Sequence, residues 1–452
     1  MSDDRITARA REIASAEAAT LQDRTPASRR LFERAERVMP YGVASSFQAN
    51  DPYPIYLREG RGSRVRDVDG NEYVDFHGGF GTMAVGHAHP KVVEAVDRAA
   101  RTGTHFAVTT ETAVALAEEI CRRFRLDRVR FTNSGTEATM EAIRLARAAT
   151  GRDVVLKIEG SYHGHHDAVM FSVVPNSDVI GGRDAPASTP LSRGIPADAV
   201  RDTAVVEFNN VEALDRVLSE RGEEIACLIM EPIMMNVGIV LPRNGYLEAV
   251  KDLCARHGVV LIFDEVKSGA TVAPGGAIDR FGVQPDLACF AKAVGGGAAL
   301  GAFGGRADLM DEITRGVAHM GTFNGNPLSA AAGLAALTEV LTPDAYELLG
   351  KLGTQLAQGC EKAIADHSIP AHAVDLGCKG CVSYRPEPLR NYRDFLECNT
   401  ALFEASWPWM VNRGLFMTPG DEEQWTISVQ HSEDDVARYV DAFGEFCAAV
   451  TG

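Results

Sequence analysis

Uninterrupted apolar runs recur through the middle of the chain and are separated by stretches with helical spacing. The runs are "DVVLKIEG", "IACLIMEP", "VVLIFDE" and "DLACFAK", and "RVRFTNSG" precedes them as a strand that leads into a turn. "TEATMEAIRLARAATG" has apolar residues at helical spacing and ends in glycine. Strands that are apolar on both faces and alternate with helices form parallel sheets covered on both sides. The pattern therefore predicts an α/β fold with a mostly parallel sheet.

The two ends of the chain have a different pattern. Residues 1–40 predict a helix that ends near Pro40, and "YPIYLREGRGSRVRDVDGNEYVDF" predicts hairpins with turns at "GRG" and "DGN". Beyond about Thr342, helices and short strands follow. We expect an N-terminal helix and hairpin segment (1–80), a large domain (81–335) and a C-terminal segment (336–452). The two outer segments would form one smaller α+β domain.

Composition narrows the function classes. Hydrophobic residues make up 45% and charged residues 24% of the 452 residues, which is typical of a soluble globular protein. The net charge of −17 argues against a nucleic-acid partner. No apolar run reaches the ~18 residues that span a membrane, and the first residues lack a signal core. Nine cysteines, an odd number, fit free thiols, so we expect a cytoplasmic protein.

Two polar residues stand at the carboxyl ends of predicted strands, where ligands bind in parallel sheets. Asp264 is either a buried acid that binds a cation or a protonated ring nitrogen, or a capping residue in a turn; Glu265 would point to the other side of the strand. Lys292 is either a snorkelling lysine or a desolvated, nucleophilic amine that attacks a carbonyl. The three glycines that follow would let a cofactor approach closely.

Two turns before helices are candidate phosphate sites. Ser134, Gly135 and Thr136 in "TNSGTEATM" open a helix whose free N–H groups suit an anion, although a plain N-cap gives the same pattern. Thr322 in "MGTFNGNP" is a second candidate, and its alternative is a helix start with Asn326 as cap.

The segment "YHGHHD" follows the predicted strand "DVVLKIEG" and contains an aromatic residue and three histidines. Tyr162 is placed to stack on a flat ring. His163, His165 and His166 suggest a metal, but neither a carboxylate helix nor HExxH spacing supports one. "CKGC" has no second cysteine pair, so we expect no metal.

Together these candidates describe one ligand. Pyridoxal phosphate contains all four of the groups that these residues would bind: a phosphate, a flat ring, a ring nitrogen that needs a carboxylate, and an aldehyde that needs a lysine. Lys292 would hold this cofactor through a Schiff base.

The chain resembles the class III aminotransferases, and within them the glutamate-1-semialdehyde 2,1-aminomutase-like aminotransferases, over residues 30–445. The motifs that carry the resemblance, in order, are "YVDFHGGFGTMAVGHAHP", "FTNSGTEATMEAIRLAR", "YHGHHD", "EPIMMNVG", "LIFDEVKSG", "AKAVGGGAALGAFGG" and "GTFNGNP". The resemblance implies the aspartate-aminotransferase-like fold (fold type I), with a sheet of the seven-stranded type, and a homodimer whose active sites are shared between subunits.

The resemblance also implies a role for each matching position. Lys292 corresponds to the Schiff-base lysine that moves the proton, and Asp264 to the acid that keeps the pyridine nitrogen protonated. Val266 and Tyr162 correspond to the residues below and above the ring. The remaining cofactor positions are the phosphate cradle Ser134, Gly135 and Thr136, the ring-hydroxyl neighbour Asn236, its supporting acid Glu231, and the phosphate ligand Thr322 from the other subunit.

The substrate side departs from the family pattern. In many relatives an arginine after "GVNSPV" holds the substrate carboxylate, but this chain reads "GVASSFQAN", with Gln48 at that position and Ser46 beside it. A neutral amide does not replace a bidentate guanidinium. Lys267 is either a substitute cation or, as we expect, a solvated loop lysine. Glu423 corresponds to a family carboxylate that faces the substrate. Other candidates are the possible carboxylate partners Arg58, Arg61 and Arg64, and the aromatic residues Tyr41, Phe47, Tyr53 and Trp425, which either line the pocket or belong to the core.

Three functions compete. The first is a transaminase that moves an amino group from a small-molecule donor to a keto acid or an aldehyde. The second is an aminomutase or epimerase, which returns the amine to its own substrate. The third is an inactive relative used for binding. Intact Lys292 and Asp264 argue against the third, and Gln48 favours the transaminase over the second.

Overall fold

Sixteen α-helices are described in a computed structural model that covers residues 3–420 and 424–452. They are α1 (Asp3–Arg24), α2 (Pro26–Ala35), α3 (Gly78–Gly81), α4 (Pro90–Thr102), α5 (Glu111–Phe124), α6 (Gly135–Thr150), α7 (Ala197–Arg201), α8 (Val211–Arg221), α9 (Tyr246–His257), α10 (Gly276–Phe281), α11 (Ala307–Met310), α12 (Pro327–Ala335), α13 (Pro343–His367), α14 (Tyr392–Phe395), α15 (Thr400–Asn412) and α16 (Glu433–Thr451).

The same residues contain sixteen β-strands. They are β1 (Leu57–Arg61), β2 (Arg64–Asp67), β3 (Glu72–Asp75), β4 (Arg128–Thr132), β5 (Val154–Ile158), β6 (Gly181–Gly182), β7 (Ala185–Pro186), β8 (Thr203–Val206), β9 (Ile225–Met230), β10 (Val260–Asp264), β11 (Leu287–Phe290), β12 (Gly301–Gly305), β13 (His372–Asp375), β14 (Lys379–Ser383), β15 (Leu415–Phe416) and β16 (Trp425–Thr426).

The central sheet has seven strands in the order β4-β12-β11-β10-β9-β5-β8. The strands from β11 to β8 pair in parallel, and β12 is antiparallel to both of its neighbours. All residues of β5, β8, β9, β10 and β11 are buried, which explains why their sequences are almost entirely apolar, with Lys157 in β5 as an internal exception. The predicted mostly parallel sheet of seven strands is confirmed.

Helices cover both faces of this sheet. Alternate residues of a strand point to opposite faces, and here they enter two different hydrophobic clusters. Leu228 and Phe263 pack with residues of α5, α8, α9 and α12. Their neighbours Ile229 and Ile262 pack with residues of α6. The sheet is therefore the middle layer of an α/β/α arrangement.

The ends of the chain meet in smaller sheets. Strands β1, β2 and β3 form a sheet with β15 from the C-terminal segment, which pairs in parallel with β3. Strands β13, β14 and β16 form a second antiparallel sheet, and α1 packs against α15. The N- and C-terminal segments thus form the expected smaller α+β unit, whereas the domain boundaries at 80/81 and 335/336 stay a prediction.

The single helix expected over residues 1–40 is wrong. Helix α1 ends at Arg24, and α2 begins at Pro26 and ends at Ala35. Proline has no backbone N–H and disfavours helical geometry in the residue before it. Thr25 accordingly leaves the helical conformation, with φ −123° and ψ 44°. Among the described helices, none has the length and apolar character that a membrane crossing requires.

Candidate active site

A cavity of about 160 Å³ lies at the carboxyl edge of the central sheet, where the connections after five of its strands converge. Most of the residues predicted to bind the cofactor line it: Gly135, Thr136, Tyr162, Glu231, Asn236, Asp264, Val266 and Lys292. Each of them follows the end of a strand of the central sheet. The convergence arises because β4, β5, β9, β10 and β11 run in the same direction.

The start of α6 forms one wall of the cavity. The Ser134 side chain accepts a hydrogen bond from the Glu137 N–H (3.2 Å), so its hydroxyl caps the helix and does not line the cavity. Gly135 and Thr136 are the first residues of the helix, and their N–H groups have no acceptor within it. A Cβ on Gly135 would lie 3.0 Å from Val266. The helix start is therefore a narrow anion cradle that fits a phosphate.

Gly164 closes this cradle from the other side. Its φ of +102° favours glycine, and an added Cβ would lie 2.7 Å from the Thr136 hydroxyl oxygen and 2.8 Å from the Thr136 Cα. We predict that Gly164→Ala displaces Thr136 and lowers cofactor affinity about 10-fold or more. The measurement is the dissociation constant for pyridoxal phosphate, followed by absorbance.

Gly194→Ala is the matched control for this substitution. Gly194 has a similar φ of +97°, but nothing lies within 4 Å of an added Cβ. This control isolates backbone strain, and it is expected to bind the cofactor as the wild type does. Equal affinity in both variants would show that Gly164 does not shape the cradle.

The Asp264 carboxylate is buried and held by two donors. Its Oδ2 lies 2.8 Å from His163 Nδ1, and its Oδ1 accepts a hydrogen bond from the Val266 N–H at 3.0 Å. His163 is itself buried, and its Nε2 has no hydrogen-bond partner in the described part of the chain. A buried carboxylate fixed in this way fits a positively charged partner better than a simple turn cap does.

His163 is a functional candidate that the sequence analysis missed. The three histidines of "YHGHHD" were considered only as metal ligands, and the described residues contain no group that could hold a metal ion. His163 is buried against Asp264, His165 is exposed, and burial, with the neighbouring cations, lowers the pKa of His166 to about 3. The available signal was the position of His163 in the loop that follows a fully buried strand, β5.

Glu231 connects two of the loops that surround the cavity. Its Oε1 accepts from the Tyr162 N–H (3.1 Å), and its Oε2 accepts from the Met235 N–H (2.8 Å) and from Asn236 Nδ2 (2.9 Å). The predicted supporting role of Glu231 agrees with this geometry. The loop that carries Tyr162 is also held by Lys157, because this buried amine donates hydrogen bonds to the carbonyl oxygens of Ser161, Val169 and Phe171.

Tyr162 and Val266 lie on the walls of the same cavity as Asp264. Burial and the neighbouring Asp264 raise the pKa of the Tyr162 hydroxyl, which therefore stays protonated at neutral pH. Phe47 meets the Tyr162 ring edge-on, with 5.4 Å between ring centroids. Tyr162 is thus an uncharged aromatic wall whose orientation is supported by a second aromatic residue.

Lys292 has an unusual backbone conformation. It follows β11 directly after Ala291, is half-buried, and has a φ of 51°, in the left-handed region. For a residue with a side chain this conformation costs about 1–2 kcal/mol, and such strain concentrates at functional sites. Of the glycines that follow, Gly296 packs closely: an added Cβ would lie 2.8 Å from the Ala332 carbonyl oxygen. The glycine run was expected to let a cofactor approach closely, whereas Gly296 lets α12 pack closely against the chain.

Glu265 lies on the opposite side of the strand end from Asp264, as predicted. It accepts hydrogen bonds from the Ser268 hydroxyl and from the N–H groups of Ala277 (2.9 Å) and Ile278 (2.7 Å). Burial nevertheless raises the pKa of Glu265 to about 7. Glu265 therefore anchors the start of α10 and is not part of the cavity.

This raised pKa gives a pH dependence of stability. Between the ordinary glutamate value of 4.5 and about 7, the folded state binds more protons than the unfolded state. The contribution of protonated Glu265 to the unfolding free energy is therefore complete below pH 4.5 and is lost as the pH rises through about 7. From pH 5 to pH 8, we expect the wild type to lose about 3 kcal/mol of unfolding free energy relative to Glu265→Gln.

Denaturant unfolding of both proteins at the two pH values measures this difference. Glu212→Gln, at an exposed position in α8, is the control and should follow the wild type. Parallel pH profiles for the wild type and Glu265→Gln would contradict the shifted pKa.

The expectation that Lys267 is a solvated loop lysine is wrong. Lys267 is 5% exposed, lines the cavity, and its Nζ donates to the Met235 carbonyl oxygen at 2.7 Å. The residue follows a strand end in a chain segment that turns back into the protein, so its long side chain is covered. A charged residue between Val266 and Ser268, shortly before a glycine, is a pattern that does not distinguish a loop surface from a cavity wall.

Of the remaining predicted residues, those that the structure describes do not line this cavity. Ser46 and Gln48 are exposed, and the Gln48 side chain accepts a hydrogen bond from the Ser45 N–H (3.2 Å). Thr322 is exposed and does not line the cavity of its own chain. Glu423 lies outside the described residues.

The other candidates are divided between surface and core. Arg64 pairs with Asp435 (2.7 Å), whereas Arg58 and Arg61 are exposed. Tyr53 and Trp425 are core residues, whereas Tyr41 is 71% and Phe47 is 54% exposed.

Known proteins resemble this chain over most of its length. The family model for Aminotransferase class-III matches residues 46–377. Glutamate-1-semialdehyde 2,1-aminomutase of Desulforudis audaxviator is 38% identical over 92% of this chain and 96% of that protein. The enzyme of the same name from Methanothermobacter thermautotrophicus is 41% identical over 92% of this chain and 98% of that protein.

Solved structures also resemble this chain over most of its length. An omega-transaminase from Sphaerobacter thermophilus superposes with a TM-score of 0.90 at 35% identity and covers 94% of this chain and 98% of its own. A transaminase with pyridoxal phosphate (PLP) bound has a TM-score of 0.86 at 33% identity, with 94% and 98% coverage. A glutamate-1-semialdehyde aminomutase from Pseudomonas aeruginosa has a TM-score of 0.89 at 27% identity, with 98% and 99% coverage.

Proposed function

The chain belongs to the class-III aminotransferase family, and on that premise we propose how its residues perform the reaction. It is a pyridoxal-phosphate-dependent transaminase that moves an amino group between a small-molecule amine or amino acid and a keto acid or aldehyde. The observation that carries the residue assignment is the convergence of Lys292, Asp264 and the start of α6 on one cavity. An amine, a carboxylate and an anion cradle match the aldehyde, ring nitrogen and phosphate of this cofactor.

Binding is divided among four walls of the cavity. The N–H groups of Gly135 and Thr136 hold the phosphate at the start of α6. Tyr162 and Val266 cover the two faces of the ring. Asn236, oriented by Glu231, donates towards the ring hydroxyl. These contacts fix the orientation of the cofactor and exclude water from one side.

Chemistry is divided between Lys292 and Asp264. When bound, the cofactor supplies an aldehyde that condenses with amines and a ring that accepts electrons from the substrate carbon. Lys292 would provide the amine for the covalent attachment and would take the proton from the amine-bearing carbon of the substrate. Asp264 holds a proton on the ring nitrogen, and His163 keeps the carboxylate in place. Tyr162 stays neutral and confines the ring.

The test of this function follows both halves of the reaction by absorbance. The cofactor-loaded protein is titrated with a panel of α-, β- and D-amino acids, a diamine and glutamate semialdehyde. We expect an amine to convert the visible cofactor band to the amine form, and a keto acid to restore it. A spectrum that no amine changes would overturn the proposal.

An aminomutase is the second candidate, because the curated relatives named above carry that name at 38–41% identity. An aminomutase keeps its carbonyl intermediate bound, whereas a transaminase releases it. Gln48 at the position of the expected arginine favours the transaminase, since an amide does not bind a semialdehyde carboxylate bidentately.

A homodimer with shared active sites is part of the proposal. Thr322 is exposed in the single chain, and its neighbours Met320 (82%) and Phe323 (58%) are large exposed apolar residues, as is Val108 (74%). Such residues suit a subunit interface. The domain boundaries at 80/81 and 335/336 belong to the same proposal, as does a cytoplasmic location, which the nine free cysteines support.

Thr322 gives this dimer a direct test. We predict that Thr322→Val lowers cofactor affinity about 10-fold, because one hydroxyl contact to a charged phosphate is lost. Thr338→Val, at another exposed threonine, should leave the affinity unchanged. The measurement is cofactor dissociation at a protein concentration where sedimentation shows a dimer.

Subunit mixing then decides which chain donates Thr322. A Lys292→Ala subunit paired with a Thr322→Val subunit contains one fully intact site if Thr322 crosses to the partner. Activity at limiting cofactor should therefore rise when the two variants are mixed. If mixing gives only the average of the two, Thr322 does not act across the interface.

A further inference from the structure

A second cavity, of about 590 Å³, adjoins the cofactor site on the far side of Tyr162. Phe47 lines this second cavity, and its ring contacts the Tyr162 ring edge-on at 5.4 Å between centroids. The cavity lies between residues 39–57, the turn at 77–80 and residues 407–419. Its volume is within the range of small-molecule sites. The Phe47–Tyr162 contact therefore separates the cavity that contains Lys292 from this second space.

The walls of the second cavity are apolar and largely aromatic. Six residues dominate the lining: Val43, Phe47, Tyr56, Phe80, Trp407 and Phe416. Its polar side chains include Gln48, Asn50 and His77, and none of the described lining residues is Asp, Glu, Lys or Arg. An uncharged apolar group gains by entering such a space, whereas an ionised carboxylate would lose its hydration without an ion-pair partner.

The aromatic walls are fixed by the backbone. Phe80 has a φ of 56° and lies in a run of four consecutive residues with positive φ, from Gly78 to Gly81, which turns the chain. This turn places the Phe80 ring 4.5 Å from the His77 ring and 6.1 Å from the Phe47 ring. The Asp75 carboxylate accepts the N–H groups of His77 and Gly78, both at 3.0 Å, and so holds the start of the turn. A left-handed phenylalanine held in this way is typical of a binding wall.

The nearby arginines do not supply a carboxylate partner to this cavity. Arg64 pairs with Asp435, and Arg58 and Arg61 are exposed on or beside β1, outside the lining. Gln48 lines the cavity, but its Oε1 accepts the Ser45 N–H. The second cavity therefore favours an uncharged group over a charged group in the part of the substrate that enters it.

We propose that the amino donor of this enzyme carries a bulky uncharged group, aryl or branched alkyl, on or next to its amine-bearing carbon, and that this group occupies the second cavity. The inference rests on the proposed function. It names the substrate class from the chemistry of the walls and leaves the cofactor chemistry unchanged.

Four matched amines of the form R–CH(NH2)–CH3 test the substrate class with the holoenzyme. R is phenyl, 3-methylbutyl, 2-carboxyethyl or methyl, so that the second and third differ mainly in charge. We expect kcat/KM of the donor half-reaction, followed by the loss of the visible cofactor band, to favour phenyl and 3-methylbutyl over 2-carboxyethyl by ~100-fold.

Two pairs of variants locate the effect in the second cavity. Val43→Asp places a carboxylate in the wall and should lower kcat/KM for the phenyl donor about 10-fold or more, while Val43→Thr, of similar volume, changes it less than about 3-fold. Ala44→Trp fills space and should slow the phenyl donor more than the methyl donor. Ala44→Ser, with a small side chain that fills little of the cavity, is the control for Ala44→Trp.

The outcomes separate this inference from the function it rests on. If 2-carboxyethyl reacts as well as or better than 3-methylbutyl, or if Val43→Asp and Ala44→Trp leave the phenyl donor unaffected, the inference is overturned while the transaminase stands. If none of the four amines and no amino acid of the wider panel changes the cofactor spectrum, the proposed function itself fails and the inference fails with it.

Discussion

Replacing Lys292 with alanine abolishes turnover, with an expected loss in kcat of at least about 10⁴-fold. The substitution removes both the amine that attaches the cofactor and the base that moves the substrate proton. Lys292 lies in the cavity with Asp264, after β11, and a methyl group does neither task. Borohydride reduction followed by mass spectrometry should find the cofactor covalently bound to the wild type and absent from the variant.

The fold should survive this substitution, because alanine has the same Cβ atom as lysine and therefore adds no backbone strain at a φ of 51°. Lys251→Ala, at an exposed position in α9, is the matched control and should keep full activity and full attachment. Covalent attachment retained in Lys292→Ala would show that another amine carries the cofactor, with Lys267 the first to examine, since it lines the same cavity.

Replacing Asp264 with asparagine should lower kcat about 10³-fold while the cofactor stays covalently attached. Asparagine has nearly the same shape, but it carries no charge to keep the proton on the ring nitrogen. Asp264 is 5% exposed, so water does not take over its role. The measurement is single-turnover kinetics with saturating amine, together with the pH dependence of the cofactor spectrum.

Asp286→Asn is the control for this second substitution. Asp286 is also an acid at a strand end, where it accepts the Leu261 N–H (2.9 Å) and pairs with Arg306 (2.7 Å), away from the cavity. Its loss is expected to change stability and not the rate. If Asp264→Asn reacts within about 10-fold of the wild type, Asp264 does not hold the ring-nitrogen proton.

The central sheet, and the convergence of most candidate residues on one cavity, were predictable from the sequence for a physical reason. Strands buried on both faces are continuously apolar, so the polar residues that end them stand out. Asp264 and Lys292 are recognised in this way, and parallel strands bring their ends to one edge of the sheet. The short strands at the ends of the chain lack this contrast, and the break at Thr25 depends on a single proline.

Side-chain environments were less predictable, because they depend on neighbours that are distant in sequence. The Asp264 partner His163 is 101 positions away, and its pattern suggested a metal as readily as a carboxylate partner. Lys267 is buried because residues of another loop cover it, and local spacing carries no such information. The Ser134 hydroxyl was assigned to the cradle, but it caps α6 and leaves the anion contacts to the backbone of the next two residues.

The most direct test of transaminase activity is the fate of the carbonyl product and of the amino nitrogen in a single turnover. Cofactor-loaded protein in excess is mixed with a ¹⁵N-labelled reactive amine, and protein and filtrate are analysed separately. For a transaminase we expect one equivalent of free carbonyl product in the filtrate, ¹⁵N held by the protein, and transfer of that ¹⁵N to a keto acid added afterwards. A filtrate that contains only rearranged amine, whichever nitrogen it carries, and no free carbonyl product would contradict the transaminase and support the aminomutase.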